Sequence, residues 1–280
     1  IDDRWATARE DVARLGSGET DLDAFRRLLA PERFVGLGQA VADHATWWAE
    51  QAKASDLADG AERAAVLTAI AQAAPKTPQA GDATVRWSED VAVVTGVAPG
   101  SIAAAVVGEL LAGGATVVAT SSRLTHERLE FATTLYREHA AAGAKLWMVP
   151  ANLSSYRDVD ALAEWIGNDP VVTSGGSTKV VKEALVPTLL FPFAAPRVWG
   201  TLADAGPAAE SQTRLLLWSV GRTIAALSAI GTDTHVDHRL HVVLPGSPNR
   251  GTFGGDGAYG EVKSALDAIV NRWSSERAWA

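Results

Sequence analysis

From position 90 onward, short apolar runs rich in β-branched residues alternate with longer stretches whose apolar positions recur every three to four residues. That alternation predicts strands and amphipathic helices in turn, the pattern of a parallel sheet covered by helices. Strands are expected over 90–94, 116–120, 145–150, 187–192 and 240–244, the first and last as buried strands. Helices are expected over 103–111, 127–142, 156–166 and 211–230. The stretch 171–186, with Gly175 and Gly176, fits neither period.

The first 74 residues read differently. They are rich in Ala, Leu, Arg, Glu and Asp and carry helical spacing at Leu22, Phe25, Leu28 and Leu29. Breaks at Gly16-Ser17-Gly18 and Asp59-Gly60 divide them into several helices, among them 41–53 with Trp47-Trp48, and 61–74. His44 stands alone among apolar neighbours and is expected to pack rather than to ligate. The Pro- and Gly-containing stretch 75–82 has the composition of a linker. The expected organisation is therefore a helical segment, 1–80, followed by an α/β domain, 81–280, with a Rossmann-type doubly wound parallel sheet.

Composition narrows the functional classes. With 47% hydrophobic and 21% charged residues the 280-residue chain is ordinary for a globular protein. A net charge of −8 argues against nucleic acid or an anionic membrane as partner. No apolar run approaches the roughly 20 residues of a membrane span. The lack of cysteine removes disulfides and thiolate metal sites, and fits a reducing cytoplasm. No metal site is expected. The ten tryptophans are expected to fill core or interface. The chain opens on Ile1, without a signal peptide, as a piece of a longer protein would.

Chemistry gathers in two places. After the first strand, Thr95-Gly96-Val97-Ala98-Pro99-Gly100-Ser101-Ile102 leads into a helix. Strand, glycine turn, helix and strand form the βαβ unit in which a dinucleotide pyrophosphate rests on the helix start. The second strand ends in Ser121-Ser122-Arg123, where NAD-specific folds carry a carboxylate about 20 residues past the glycines. A cation with two hydroxyls suits a 2′-phosphate, hence NADPH. Asn152-Leu153 ends the third strand, where an adenine ring would lie, and Phe193-Ala194-Ala195 ends the fourth, where small residues let backbone approach a cofactor.

The second place follows the last strand. Ser247 stands at its end, and Tyr259 and Lys263, four apart, share one face of the next helix. A phenol beside an ammonium has its phenolate favoured, from an ordinary pKa of about 10 toward working pH, so it can exchange a proton with a substrate oxygen. Ser247 can hydrogen-bond the same oxygen.

Taken together, Thr95-Gly96-x-x-x-Gly100, Asn152, Ser247 and Tyr259-x-x-x-Lys263 resemble the short-chain dehydrogenase/reductase superfamily. Gly100-Ser101-Ile102, Thr120-Ser121-Ser122-Arg123, Pro192-Phe193-Ala194-Ala195 and the stretch from Leu244-Pro245-x-Ser247-Pro248-Asn249 to Phe253-Gly254-Gly255-Asp256-Gly257 narrow the likeness. They resemble the β-ketoacyl reductase domain of type I fatty acid synthases, most nearly the single-chain synthases of mycobacteria and their relatives. The resemblance covers residues 90–280. It implies NADPH-dependent reduction of a 3-oxoacyl group on acyl carrier protein. Tyr259 would donate the proton, Lys263 would bind the nicotinamide ribose, and Ser247 would hold the carbonyl. Thr95, Gly96, Gly100, Ser101, Ile102, Ser121, Ser122, Arg123, Asn152, Leu153, Phe193, Ala194 and Ala195 would contact the cofactor. Expected partners are other domains of a synthase and, in a homo-oligomer, further copies of the chain.

Two departures stand against the family pattern. Many relatives carry an asparagine on the long helix where this chain has Trp218-Ser219-Val220, and the fold normally continues past position 280. Two other readings stand beside the ketoreductase one: an assembly module whose chemistry was lost by truncation, and, since Ser101-Ile102-Ala103 after the glycine turn also resembles enoyl reductases, an enoyl-reductase-like enzyme. The latter class separates its Tyr and Lys more widely.

Overall fold

The structure is a computed structural model that describes residues 4–25, 29–77, 86–231, 239–249 and 254–276. The chain divides into two compact units. The linker positions 78–82 and the loop positions 251–253 lie outside the described residues.

The first unit comprises Ile1–Asp90, Ala104–Val117 and His126–Trp147. Its α-helices are α1 (Arg4–Ser17), α2 (Leu22–Phe25), α3 (Gln39–Ala54) and α4 (Gly60–Ala73), with a 3₁₀ turn over Pro31–Phe34. Val12, Leu15, Phe34, Val41, Leu67 and Ile70 are fully buried and form one core with the alanines of α3. Small side chains let the helices approach closely. At Gly16, an added Cβ would lie 2.5 Å from the Trp48 ring. Arg63 is buried, bonded to Asp59 at 2.8 Å and donating to Leu15 O at 3.0 Å, so it satisfies a carbonyl near the end of α1. His44 packs edge-on to Trp48, as a core histidine does. The unit also holds most of α5 (Ile102–Ala112) and all of α6 (His126–His139). Buried Asp11 of α1 accepts from Arg137 of α6 at 2.8 and 3.1 Å.

The second unit comprises Val91–Ala103, Val118–Thr125 and Met148–Ala280. It contains β1 (Val91–Val94), the C-terminal ends of β2 (Thr116–Ser121) and β3 (Lys145–Pro150), and α7 (Tyr156–Gly167). A hairpin, β4 (Val171–Ser174) and β5 (Ser177–Val180), follows, then β6 (Leu189–Phe191). Strand order in the sheet is β3-β2-β1-β6-β7, where β7 is His241–Val242. β1 pairs with β6, and β6 with β7, in parallel. The chain thus winds outward from β1 through β2 and β3, then resumes at β6 on the other side of β1. That reversal is the doubly wound switch point, which opens a crevice at the C-terminal ends of β1 and β6.

Fully buried Ala92, Val93 and Val94 bear out the reading of β1 as a buried strand. The last strand does not follow its expectation. Among the described residues 241–242 pair with β6 at an edge of the sheet, Val243 N still donates to Leu190 O at 2.9 Å, and Val243 is 45% exposed. Apolar composition alone cannot tell a central strand from an edge strand whose outer neighbour is absent from the sheet. The unassigned stretch 171–186 is the hairpin, exposed at every strand position. Its positive-φ Gly175 and Gly176 make the turn. Buried Lys182 fixes its base by donating to Ile166 O and Asn168 O at the C-terminal end of α7.

The expected helix 211–230 is a single helical run in three parts. These are α8 (Pro207–Thr213), a π-helical turn over Arg214–Trp218, and α9 (Ser219–Ser228). The last helix is α10 (Tyr259–Ser275). The described tryptophans sit at the margins of the cores, with Trp48 packed against the buried cluster of the first unit. Among the described residues none is fully buried, and Trp47, Trp199 and Trp218 are half exposed. The fully buried side chains are mostly Ala, Val, Leu and Ile, with Phe34 and Tyr136 among them.

Candidate active site

Every sequence-predicted site residue lies in the second unit. At the end of β1, Thr95 is buried and its Oγ1 accepts from Ala194 N at 3.0 Å, tying the glycine turn to the segment after β6. Gly96 has φ of +73°, and a Cβ there would meet Ala194 Cα at 2.5 Å. The close approach of the backbone at Ala194 therefore requires glycine at 96. Gly100, at φ +70°, is different: nothing lies within 4 Å of where its Cβ would stand. Ser101 Oγ donates to Ala98 O at 2.7 Å and locks the turn that leads into α5, while Ile102 is 76% exposed. Glycines in left-handed backbone before a helix start leave an open concavity lined by amide groups, the form an anionic phosphate group needs.

The neighbouring strand ends complete that rim. Ser121 is buried and donates to Arg123 O at 3.1 Å, shaping the end of β2, whereas Ser122 and Arg123 are exposed. Asn152 is exposed, with Oδ1 accepting from Ser154 N at 3.2 Å, and Leu153 is buried beside it. Phe193 and Ala194 are half-buried and Ala195 exposed. A cavity of about 10 Å³ is lined by Thr95, Leu153, Pro192, Ala194 and Ser219 among others. Ser219 Oγ is buried there without a hydrogen-bond partner. It follows the π-helical turn directly, in the region where the resemblance expects asparagine. A π turn, with i→i+5 bonds, is a local widening of the helix that recurs at functional positions.

Tyr259 is the first residue of α10 and Lys263 stands one turn on. The Lys263 ammonium lies 5.4 Å from the Tyr259 ring centroid and donates to Pro245 O at 2.7 Å. The helix and the segment carrying Ser247 are thereby joined. Lys263 is only 4% exposed, and its burial pushes its pKa below the usual lysine value. Ser247 is half-buried, and its Oγ accepts from Asn249 N at 3.1 Å. Its own proton then has an outside acceptor to find.

Three further residues shape this region, and sequence reading assigned them no role. Asn249 Nδ2 donates to Asp256 Oδ2 at 2.6 Å. Buried Gln212 on α8 accepts from Ala258 N at 2.9 Å, immediately before Tyr259. The first two stand within the glycine-rich stretch, where a polar residue reads as ordinary loop. Gln212 carries one signal, as an amide on a helix position that turns out to be buried. A larger cavity, about 470 Å³, runs between α9 and α10 and is lined by Trp218, Ile269 and Trp273 among others. None of the candidate residues lines it, and its walls are mostly apolar, with Arg222, Arg272 and Glu276 among them.

The chain is 36% identical over 198 residues to the fatty acid synthase subunit alpha of Schizosaccharomyces pombe, a match covering 70% of this chain and 10% of the relative. To the same subunit of Saccharomyces cerevisiae it is 36% identical over 201 residues, again 70% and 10%. The chain thus spans about a tenth of the length of the curated relatives it matches. No protein-family model matches it. Among solved structures, L-sorbose reductase from Gluconobacter frateurii, complexed with NADPH and L-sorbose, aligns with a TM-score of 0.50 at 19% identity, over 68% of this chain and 64% of that one. An N-terminal ketoreductase from a macrolactin assembly line aligns with a TM-score of 0.50 at 14% identity, over 66% and 34%. At such identities the structures speak to the fold alone.

Proposed function

We propose, from the premise that this chain belongs to the short-chain dehydrogenase/reductase domains of type I fatty acid synthases, that it is a ketoreductase. Its reaction is the NADPH-dependent reduction of 3-oxoacyl groups carried on acyl carrier protein to 3-hydroxyacyl groups. The observation that carries the reading is the union of Tyr259, Lys263 and Ser247. A buried ammonium sits against the tyrosine ring and is hydrogen-bonded to the carbonyl two residues before the serine.

The chain's own groups divide the work. Ser247 Oγ–H donates to the substrate carbonyl and fixes it. Tyr259 Oη–H gives its proton to that oxygen as it becomes an alcohol. The Lys263 ammonium stabilises the negative charge left on the phenol oxygen. The strand-end rim fits the cofactor, because Gly100 leaves an open cradle and Arg123 is an exposed cation. The turn from Thr95 through Gly96 and Gly100 to Ser101 and Ile102 would hold the pyrophosphate, Ser121, Ser122 and Arg123 the 2′-phosphate, and Asn152 and Leu153 the adenine. Phe193, Ala194 and Ala195 would border the nicotinamide, and Lys263 would bond its ribose. When bound, NADPH supplies the hydride. Other synthase domains would deliver the substrate in the cytoplasm, and copies of the chain would assemble as a homo-oligomer.

The test is NADPH oxidation with a 3-oxoacyl thioester, against an enoyl thioester, by the parent and by Tyr259→Phe. Expected is reduction of the 3-oxoacyl compound alone, and a loss of about 10²–10⁴-fold in the variant with cofactor binding unchanged. Enoyl reduction, or a Phe variant near the parent rate, would overturn the reading.

A further inference from the structure

We propose that Asn249 is a positioning residue that couples Ser247 to Tyr259 through Asp256; the proposal rests on the ketoreductase reading above. Four hydrogen-bonding groups stand in one chain. Asn249 N donates to Ser247 Oγ at 3.1 Å, which orients the hydroxyl as an acceptor from behind and leaves its proton to point elsewhere. The side chain of the same residue donates from Nδ2 to Asp256 Oδ2 at 2.6 Å, a short charge-assisted bond. Tyr259 N then donates to Asp256 O at 3.2 Å. One asparagine therefore contacts the serine with its backbone and the turn that starts the tyrosine helix with its amide.

The turn is held from other directions as well, which makes the asparagine link the adjustable one. Gly257 N donates to Gly200 O at 2.8 Å, and Ala258 N to Gln212 Oε1 at 2.9 Å. Those two bonds set the turn against the loop after β6 and against α8. Neither reaches Ser247. Asn249 and Asp256 are seven positions apart, a span that in itself leaves many separations of serine and tyrosine open. The Lys263–Pro245 bond ties the helix to the segment two residues before the serine, and the amide–carboxylate bond fixes the serine end itself. Two groups that address a single substrate oxygen need their separation fixed, since a misplacement of about 1 Å costs on the order of 10²-fold in rate.

The experiment compares Asn249→Ala, Asn249→Asp, Asp256→Asn and the exchanged pair Asn249→Asp/Asp256→Asn, each in the full chain. The Ala variant removes the link. The Asp variant sets one carboxylate against another. The exchanged pair rebuilds an amide–carboxylate bond with donor and acceptor reversed. Expected is a fall in kcat of about 10–100-fold for each Asn249 single variant, with the KM for NADPH within about twofold of the parent. The exchanged pair should return to within about threefold. Hydrogen exchange over 256–260 should rise in the single variants and fall again in the pair. A merely structural asparagine would lower the melting temperature without splitting kcat from KM. Asn249→Ala at the parent rate, or an exchanged pair that is folded and as poor as the single variants, would overturn the coupling. If the parent reduces no 3-oxoacyl thioester the assigned function fails, and the exchange measurement alone then decides whether the link holds the turn.

Discussion

Lys263, assigned a catalytic role in the proposed reaction, is expected to cost the fold stability. Its ammonium is nearly excluded from solvent and donates to Pro245 O. Burial lowers its pKa from 10.5, so the unfolded chain binds that proton more tightly than the folded chain does. The sign follows from linkage: where the unfolded state holds more protons, stability rises with pH. The contribution of Lys263 is thus least favourable below its lowered pKa, and the deficit vanishes as pH climbs to the unfolded value. Lys263→Met, which keeps the bulk and drops the charge, is expected to melt at or above the parent temperature at pH 7, by up to a few degrees, while losing at least about 10²-fold in turnover. Melting curves from pH 7 to 10 should show the gap between the two proteins closing as pH rises. A variant that melts well below the parent at pH 7 would mean that the Pro245 bond outweighs desolvation.

At the scale of elements, the glycine turn is fixed by packing as much as by any ligand. Gly96 combines a left-handed backbone with a Cβ position only 2.5 Å from Ala194 Cα, a backbone atom that cannot swing aside. Gly100 has the same backbone hand but open space. Alanine at the two positions should therefore behave differently. Gly100→Ala carries the conformational cost alone, about 1 kcal/mol. Gly96→Ala adds displacement of the segment after β6 and should cost about 3 kcal/mol or more. Denaturant midpoints measure both, and equal losses would show that the β1 turn and the β6 segment yield together. The π-helical turn between α8 and α9 is the other element-level feature. It adds a residue to the winding just before buried Ser219, a displacement that no hydrophobic period announces.

At the scale of the molecule, the helical N-terminal region and α6 share one compact unit. Asp11 and Arg137 join them, with Asp11 nearly fully buried and Arg137 also contacting Glu10 at 3.1 Å. Removing one partner of such a pair leaves an uncompensated charge. Arg137→Ala is expected to lose on the order of 2–3 kcal/mol, less than for a wholly buried pair because Arg137 is a quarter exposed. Hydrogen exchange should locate the loss in α1 and α6, sparing α10. A change below about 0.5 kcal/mol would mark the pair as surface-like.

The order of strands and helices from β1 to α7 followed from the alternation of short apolar, β-branched runs with longer helical-period stretches. The Tyr259–Lys263 pair was also legible, since a spacing of four on a helix implies a shared face whatever the tertiary context. Three things needed the fold. Whether 240–244 ran through the middle or along the edge of the sheet depended on strand order, which apolar content does not encode. The contacts of Asn249, Asp256 and Gln212 needed the fold: Gln212 reaches Ala258 across 46 positions, and within the loop a polar side chain gives no sign of its partner. The burial of Lys263 depended on Pro245 and the segment beside it, and desolvation is a property of surroundings rather than of residue type. Local regularities are written in neighbours along the chain, while register, burial and pairing are set by what the chain brings together.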